Sequence, residues 1–130
     1  MLRYLWKGLL MVTAALVVAV IGCLFILVIG GRFLVAPTTA TAAFGVAEDR
    51  RRAFTSIKGV RDITSGIVPL VVLLVAGPHV FGWALLAAAI TPIGDAVIVA
   101  TNGGTIRQAL GVHGATALVL VIAGLVLALG

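Results

Sequence analysis

Long runs of apolar residues, broken at only a few points, dominate the chain. They fall into four stretches, about Leu9–Leu34, Ile57–Ala76, Val80–Ala100 and Ile106–Leu129. The runs are continuous and do not alternate, so they predict helices and not barrel strands. Each approaches the roughly 20 residues that carry a helix across the hydrocarbon core. Pro69 interrupts the second stretch. Gly77-Pro78 separates the second from the third, since Pro disfavours helix in the residue before it. Thr101-Asn102-Gly103-Gly104 separates the third from the fourth, with Gly supplying the positive-φ positions of a turn. Both turns are short. The expected architecture is an all-α, four-helix integral membrane bundle of two antiparallel hairpins, forming one domain over residues 1–130.

Composition agrees. Of 130 residues, 62% are hydrophobic and 10% charged, against about 25% charged in a soluble domain. Burial on folding reaches only about 70% of the surface of a chain this size, which excludes a soluble fold. Residues 35–56 form the one long polar and basic connection. Within it Pro37-Thr38-Thr39 suits a helix start, and Ala36–Ala47 suits a surface or re-entrant segment. The lone Cys23 cannot form an intramolecular disulfide. Val20-Ile21-Gly22-Cys23 resembles a lipoprotein cleavage box, but the apolar run continues through Ile29, so no cleavage is expected.

Nine Lys and Arg stand against four Asp and Glu. With four spans, Arg3 and Lys7 fall on one side of the membrane. Arg32, Arg50, Arg51, Arg52, Lys58, Arg61 and Arg107 fall on the other. Basic residues favour the cytoplasm, so both termini are expected outside and the basic loop inside, in a multi-pass cell-membrane protein. Arg50-Arg51-Arg52 is read as a phospholipid anchor and not as a nucleic-acid site. Membrane lipids are the expected partners, with a lipophilic small-molecule ligand and a homo-oligomer as further candidates.

One acid breaks the pattern. Asp95 is the single formal charge between Ile63 and Ile106, and a carboxylate at the bilayer centre costs roughly 3 kcal/mol. Asp95 and His113 each lie nine residues from Gly104, about 13 Å along their helices, so they are expected at one depth. Thr91 lies one turn before Asp95, and Pro92 frees the carbonyl of Ala88. Thr116 follows His113 by three residues. Lys58 and Asp62, and Arg61 and Ser65, have i, i+4 spacing. Arg61, Asp62, Asp95, Asn102, Arg107 and His113 all fall in one half of the membrane. The candidate catalytic residues are therefore Asp95, Asp62, His113 and Arg61. The candidate substrate-binding residues are Thr91, Ser65, Thr116, Asn102 and Arg107. No metal-ligand spacing or nucleotide fingerprint appears, and no cofactor is expected.

Three readings of this cluster stand. The first is an intramembrane enzyme, of hydrolase or isomerase type, opening an epoxide or shifting a proton on a lipophilic molecule. Asp95 or Asp62 would be base or nucleophile and His113 the acid/base partner. Arg61 would orient a carboxylate or stabilise developing negative charge. Carboxylates whose environments push their pKa values apart supply both an acid and a base. The second is a non-catalytic subunit or scaffold whose Asp/His/Arg cluster locks the helices. The third is a small proton-linked transporter acting as an oligomer.

Lys58-Gly59-Val60-Arg61-Asp62 with Gly66, then Pro92-Ile93-Gly94-Asp95, then His113-Gly114-Ala115-Thr116 resemble, in order and spacing, the domain of unknown function 4267 family. That resemblance implies a small four-helix membrane protein with no established activity. A looser similarity, at the level of fold, is to four-helix membrane families acting on lipophilic substrates.

Overall fold

The computed structural model describes residues 2–44 and 52–130. The described chain is helical throughout: α1 (Leu2–Val35), α2 (Pro37–Phe44), α3 (Arg52–Ala88), α4 (Ile90–Thr101), α5 (Ile106–Gln108), a π-helix (Ala109–Gly114) and α6 (Ala115–Leu129). Three helical stretches are long and apolar enough to cross a membrane: Trp6–Val35, Phe54–Thr101 and Ile106–Leu129. Residues 45–51 of the expected polar connection, Arg50 and Arg51 among them, lie outside the described residues. α2 starts at Pro37, where the missing N–H costs nothing, and its Thr41 hydroxyl donates to the Pro37 carbonyl at 2.8 Å.

The middle stretch is 48 residues long, about 72 Å of helix, more than twice the hydrocarbon thickness. It contains two discontinuities, both written in the sequence. Gly77 has φ 78° and ψ 179°, a region only glycine occupies without strain, and Pro78 follows it. At Ala89 the helix pauses because Pro92 has no N–H for the Ala88 carbonyl. Helical bonding resumes with the Ile93 N–H donating to the Ala89 carbonyl at 3.2 Å.

Glycines set the close approaches. A Cβ at Gly30 would lie 2.7 Å from the Gly59 carbonyl oxygen, and one at Gly66 would lie 2.6 Å from that of Cys23. As α3 residue numbers rise from 59 to 66, the facing α1 numbers fall from 30 to 23, so these segments run antiparallel. Further along α3, Gly82 meets α6 at Gly124 and Ala128 in the same way. Small residues permit this where lipid supplies no hydrophobic drive between helices.

The buried core joins Ala19 and Cys23 of α1, Phe81 and Leu85 of α3, and Ala123 and Leu127 of α6. It lies toward Gly77. Large apolar side chains such as Phe25, Leu74, Leu110 and Leu129 are exposed, as expected of helices whose outer surface faces lipid. The turn after α4 closes on Gly103 (φ 85°), with the Gly104 N–H donating to the Val99 carbonyl at 2.9 Å. Thr105 then caps α5: its hydroxyl accepts from the Gln108 N–H at 3.1 Å, and Gln108 Oε1 accepts from the Thr105 N–H at 3.4 Å. This is a capping box.

Candidate functional site: a four-charge cluster

Lys58, Arg61 and Asp62 sit on successive turns of α3, and Asp95 sits on α4. The i, i+4 spacing brings Lys58 Nζ to 2.7 Å from Asp62 Oδ2. Arg61 folds back over its own helix, with Nε and Nη2 donating to Asp62 Oδ1 at 3.3 and 3.2 Å. The same Nη2 donates to Asp95 at 3.2 Å (Oδ1) and 2.9 Å (Oδ2). Lys58 Nζ stands 3.9 Å from Asp95 Oδ2 and 4.7 Å from the centre of the Phe33 ring of α1, within cation–π range. One guanidinium thus serves two carboxylates, and two cations balance two anions. That balance is how a segment this apolar tolerates ionised groups.

Exposure separates the four. The Asp62 side chain is 2% exposed, Asp95 10%, Lys58 17% and Arg61 43%. Asp62 lies at the bottom of the cluster and its polar contacts are with cations of its own helix. Asp95 sits higher, and Arg61 forms the rim.

His113 is buried in the π-helix, which packs against α4. π segments are rare and often accompany functional sites. Three of the candidate binding residues turn polar groups to carbonyls of their own helices. The Ser65 hydroxyl donates to the Arg61 carbonyl at 2.9 Å, and that of Thr116 to the Val112 carbonyl at 2.7 Å. Asn102 Nδ2 donates to the Ile98 carbonyl at 2.9 Å. Arg107 is exposed and Thr91 half-buried. Sequence reasoning left Lys58 and Phe33 out of the site. The spacing of Lys58 to Asp62 was a usable signal, whereas nothing local ties Phe33, on another helix, to either.

The model of one family, described as a domain of unknown function (DUF4267), matches residues 23–127. The chain belongs to the DUF4267 family. No curated protein and no solved structure matches it. The DUF4267 region contains all four charges, Phe33 and His113, while the first two-thirds of α1 lies outside it. The family description names no activity, so function has to be argued from the cluster.

Proposed function

We propose that this DUF4267 protein is a membrane enzyme performing acid/base chemistry on a lipophilic small molecule, with the Arg61–Asp95 cluster as its site. The observation that carries this reading is a single guanidinium shared by Asp62 and Asp95, two carboxylates of unequal burial. Among the described residues Asp62, the most buried charge, bonds only cations of its own helix, so its service is to hold Lys58 and Arg61 beside Asp95. Asp95 is the general base, Arg61 and Lys58 stand beside it, and His113 is the acid/base partner. In epoxide opening, Asp95 takes a proton from water as the water oxygen bonds to a ring carbon. The ring C–O bond breaks, and the released oxygen takes a proton from the His113 imidazolium. Proton return from Asp95 to His113 closes the cycle. In an isomerisation, the same base would remove a proton from carbon and return it elsewhere.

The accompanying topology is four spans in two antiparallel hairpins, with both termini outside. The length of Phe54–Thr101 supports it, as does the contact between Arg61 and Asp95, which lie 77 − 61 = 16 and 95 − 77 = 18 residues from the break at Gly77. The test is turnover of a panel of lipophilic epoxides by purified protein in lipid. Asp95→Asn should lower it at least about 100-fold, in line with general acid–base contributions. Full turnover by the variant, or none by the wild type across the panel, would overturn the proposal.

A helix lock is the second reading, favoured by the complete pairing of two cations with two anions. It expects Asp95→Asn to melt at lower temperature or change oligomer size, with no effect on any turnover.

A further inference from the structure

Lys58 is the one amine among the four charges, and the acid/base cycle above gives it no step. The chain has two lysines, Lys7 and Lys58. Lys7 is exposed. The Lys58 side chain is 17% exposed and lies in the apolar stretch Phe54–Thr101. It shares Asp62 with the Arg61 guanidinium, at 2.7 and 3.2 Å. Desolvation and a neighbouring cation are conditions that make a lysine amine a nucleophile toward carbonyl carbon. Lys58 meets both.

Three groups around Lys58 Nζ suit an iminium ion. Asp62 Oδ2, at 2.7 Å, can take the ammonium proton and return it to a departing hydroxyl. Asp95 Oδ2 stands at 3.9 Å on another helical segment. The Phe33 ring centre lies 4.7 Å away, within cation–π range. Charge balance favours the same product. An ammonium and an aldehyde condense to an iminium that carries the charge the ammonium carried, so two cations still balance two anions. Acylation of the amine would instead leave a buried carboxylate without its cation, which is costly.

We infer that Lys58 forms an iminium with a lipophilic aldehyde, and that Asp95 then moves a proton at the adjacent carbon. This takes the proton-shifting branch of the enzyme reading, names its substrate class and rests on Asp95 as the base. Lys58 passes a proton to Asp62, and the amine lone pair bonds to the carbonyl carbon while a proton moves from nitrogen to oxygen. The C–O bond breaks as Asp62 returns its proton, water leaves, and the C=N bond forms. The α-carbon is two bonds from Nζ, within reach of a carboxylate oxygen 3.9 Å from that nitrogen. Asp95 removes its proton, the electron pair shifts to give an enamine, and protonation by Asp95 restores the iminium. Return of the proton at the γ-carbon of an unsaturated aldehyde moves its double bond. Water then releases the aldehyde by reversal of the first steps.

The test is reductive trapping in phosphatidylcholine nanodiscs, whose lipid carries no primary amine. Dodecanal and sodium cyanoborohydride are added, and alkylated lysines are mapped by mass spectrometry. Exposure alone favours Lys7, so the expected result, secondary-amine formation at Lys58 about tenfold above that at Lys7, marks an activated amine. Proton transfer is read separately, without reductant, as deuterium uptake at the α-carbon of dodecanal in heavy water, relative to empty nanodiscs. Lys58→Arg keeps a cation for Asp62 and removes the amine, and should lower uptake about tenfold or more. Asp95→Asn should lower uptake to a similar degree while trapping at Lys58 persists. Label at Lys7 equal to or above that at Lys58, or undiminished uptake in Lys58→Arg, overturns the inference. The comparison of two lysines within the wild type keeps the test decisive if a variant misfolds. Epoxide turnover without trapping at Lys58 would sink this inference alone, and trapping without epoxide turnover would leave it standing.

Discussion

Arg61 and Asp95 stand 34 residues apart in the chain, yet Arg61 Nη2 donates to both oxygens of Asp95, at 3.2 and 2.9 Å. In one straight helix they would be about 51 Å apart. The contact therefore links the break at Gly77 to the chemistry of the cluster.

Neutralising Asp95 while leaving Arg61 charged should destabilise the protein. Breaking a buried pair costs about 3–5 kcal/mol and an exposed pair under about 1 kcal/mol. With Arg61 43% exposed and Asp95 10%, Asp95→Asn should cost about 2 kcal/mol in reversible unfolding in mixed micelles. A double-mutant cycle with Arg61→Gln should return a coupling of about 1 kcal/mol or more. A coupling of zero would remove the ion pair from any account of stability.

Lys58 is the nearest cation to Asp62, the most buried charge, at 2.7 Å. Lys58→Met should therefore be worse than Asp95→Asn, by the same unfolding measurement, because Asp62 cannot reach solvent. Lys58→Arg keeps the charge and should recover most of the loss. Phe33→Leu, which removes the ring 4.7 Å from Nζ, should cost about 1 kcal/mol through the lost cation–π contact. Equal melting of Lys58→Met and wild type would contradict the assignment of Asp62 as the cluster's anchor.

Gly66→Ala places a methyl 2.6 Å from the Cys23 backbone oxygen, so α1 and α3 must separate; at Gly22 nothing lies within 4 Å. Gly66→Ala should destabilise by about 1–3 kcal/mol, while Gly22→Ala should be neutral or stabilise by up to about 1 kcal/mol through helix propensity. Comparing the two melting temperatures in one detergent checks the packing directly.

Gly77→Ala should cost about 1–3 kcal/mol, because φ 78° with ψ 179° is closed to residues bearing a Cβ. Gly94→Ala, in open space inside α4, is the matched control. If both melt alike, the break at Gly77 is not held in this conformation.

Much of this protein was legible in the sequence because a bilayer reads composition and length. The apolar runs, the breaks at Gly77-Pro78 and at the 101–104 turn, the helix start at Pro37 and the DUF4267 resemblance all follow from local residues. Local spacing also announced the Lys58–Asp62 pair. What spacing could not state was direction around a helix axis. Arg61 could equally have turned outward to headgroups, and its turn toward Asp95 depends on how the segments either side of Gly77 pack. Phe33 reaches Lys58 only because Gly30 and Gly59 let α1 and α3 touch backbone to backbone. Ser65, Asn102 and Thr116, placed in the site by spacing and depth, turn their polar groups to carbonyls of their own helices. The sequence by itself determined a membrane-type helical chain and which charges must be matched; only the tertiary structure decided which partners match them, because that choice rests on contacts between segments distant in the chain.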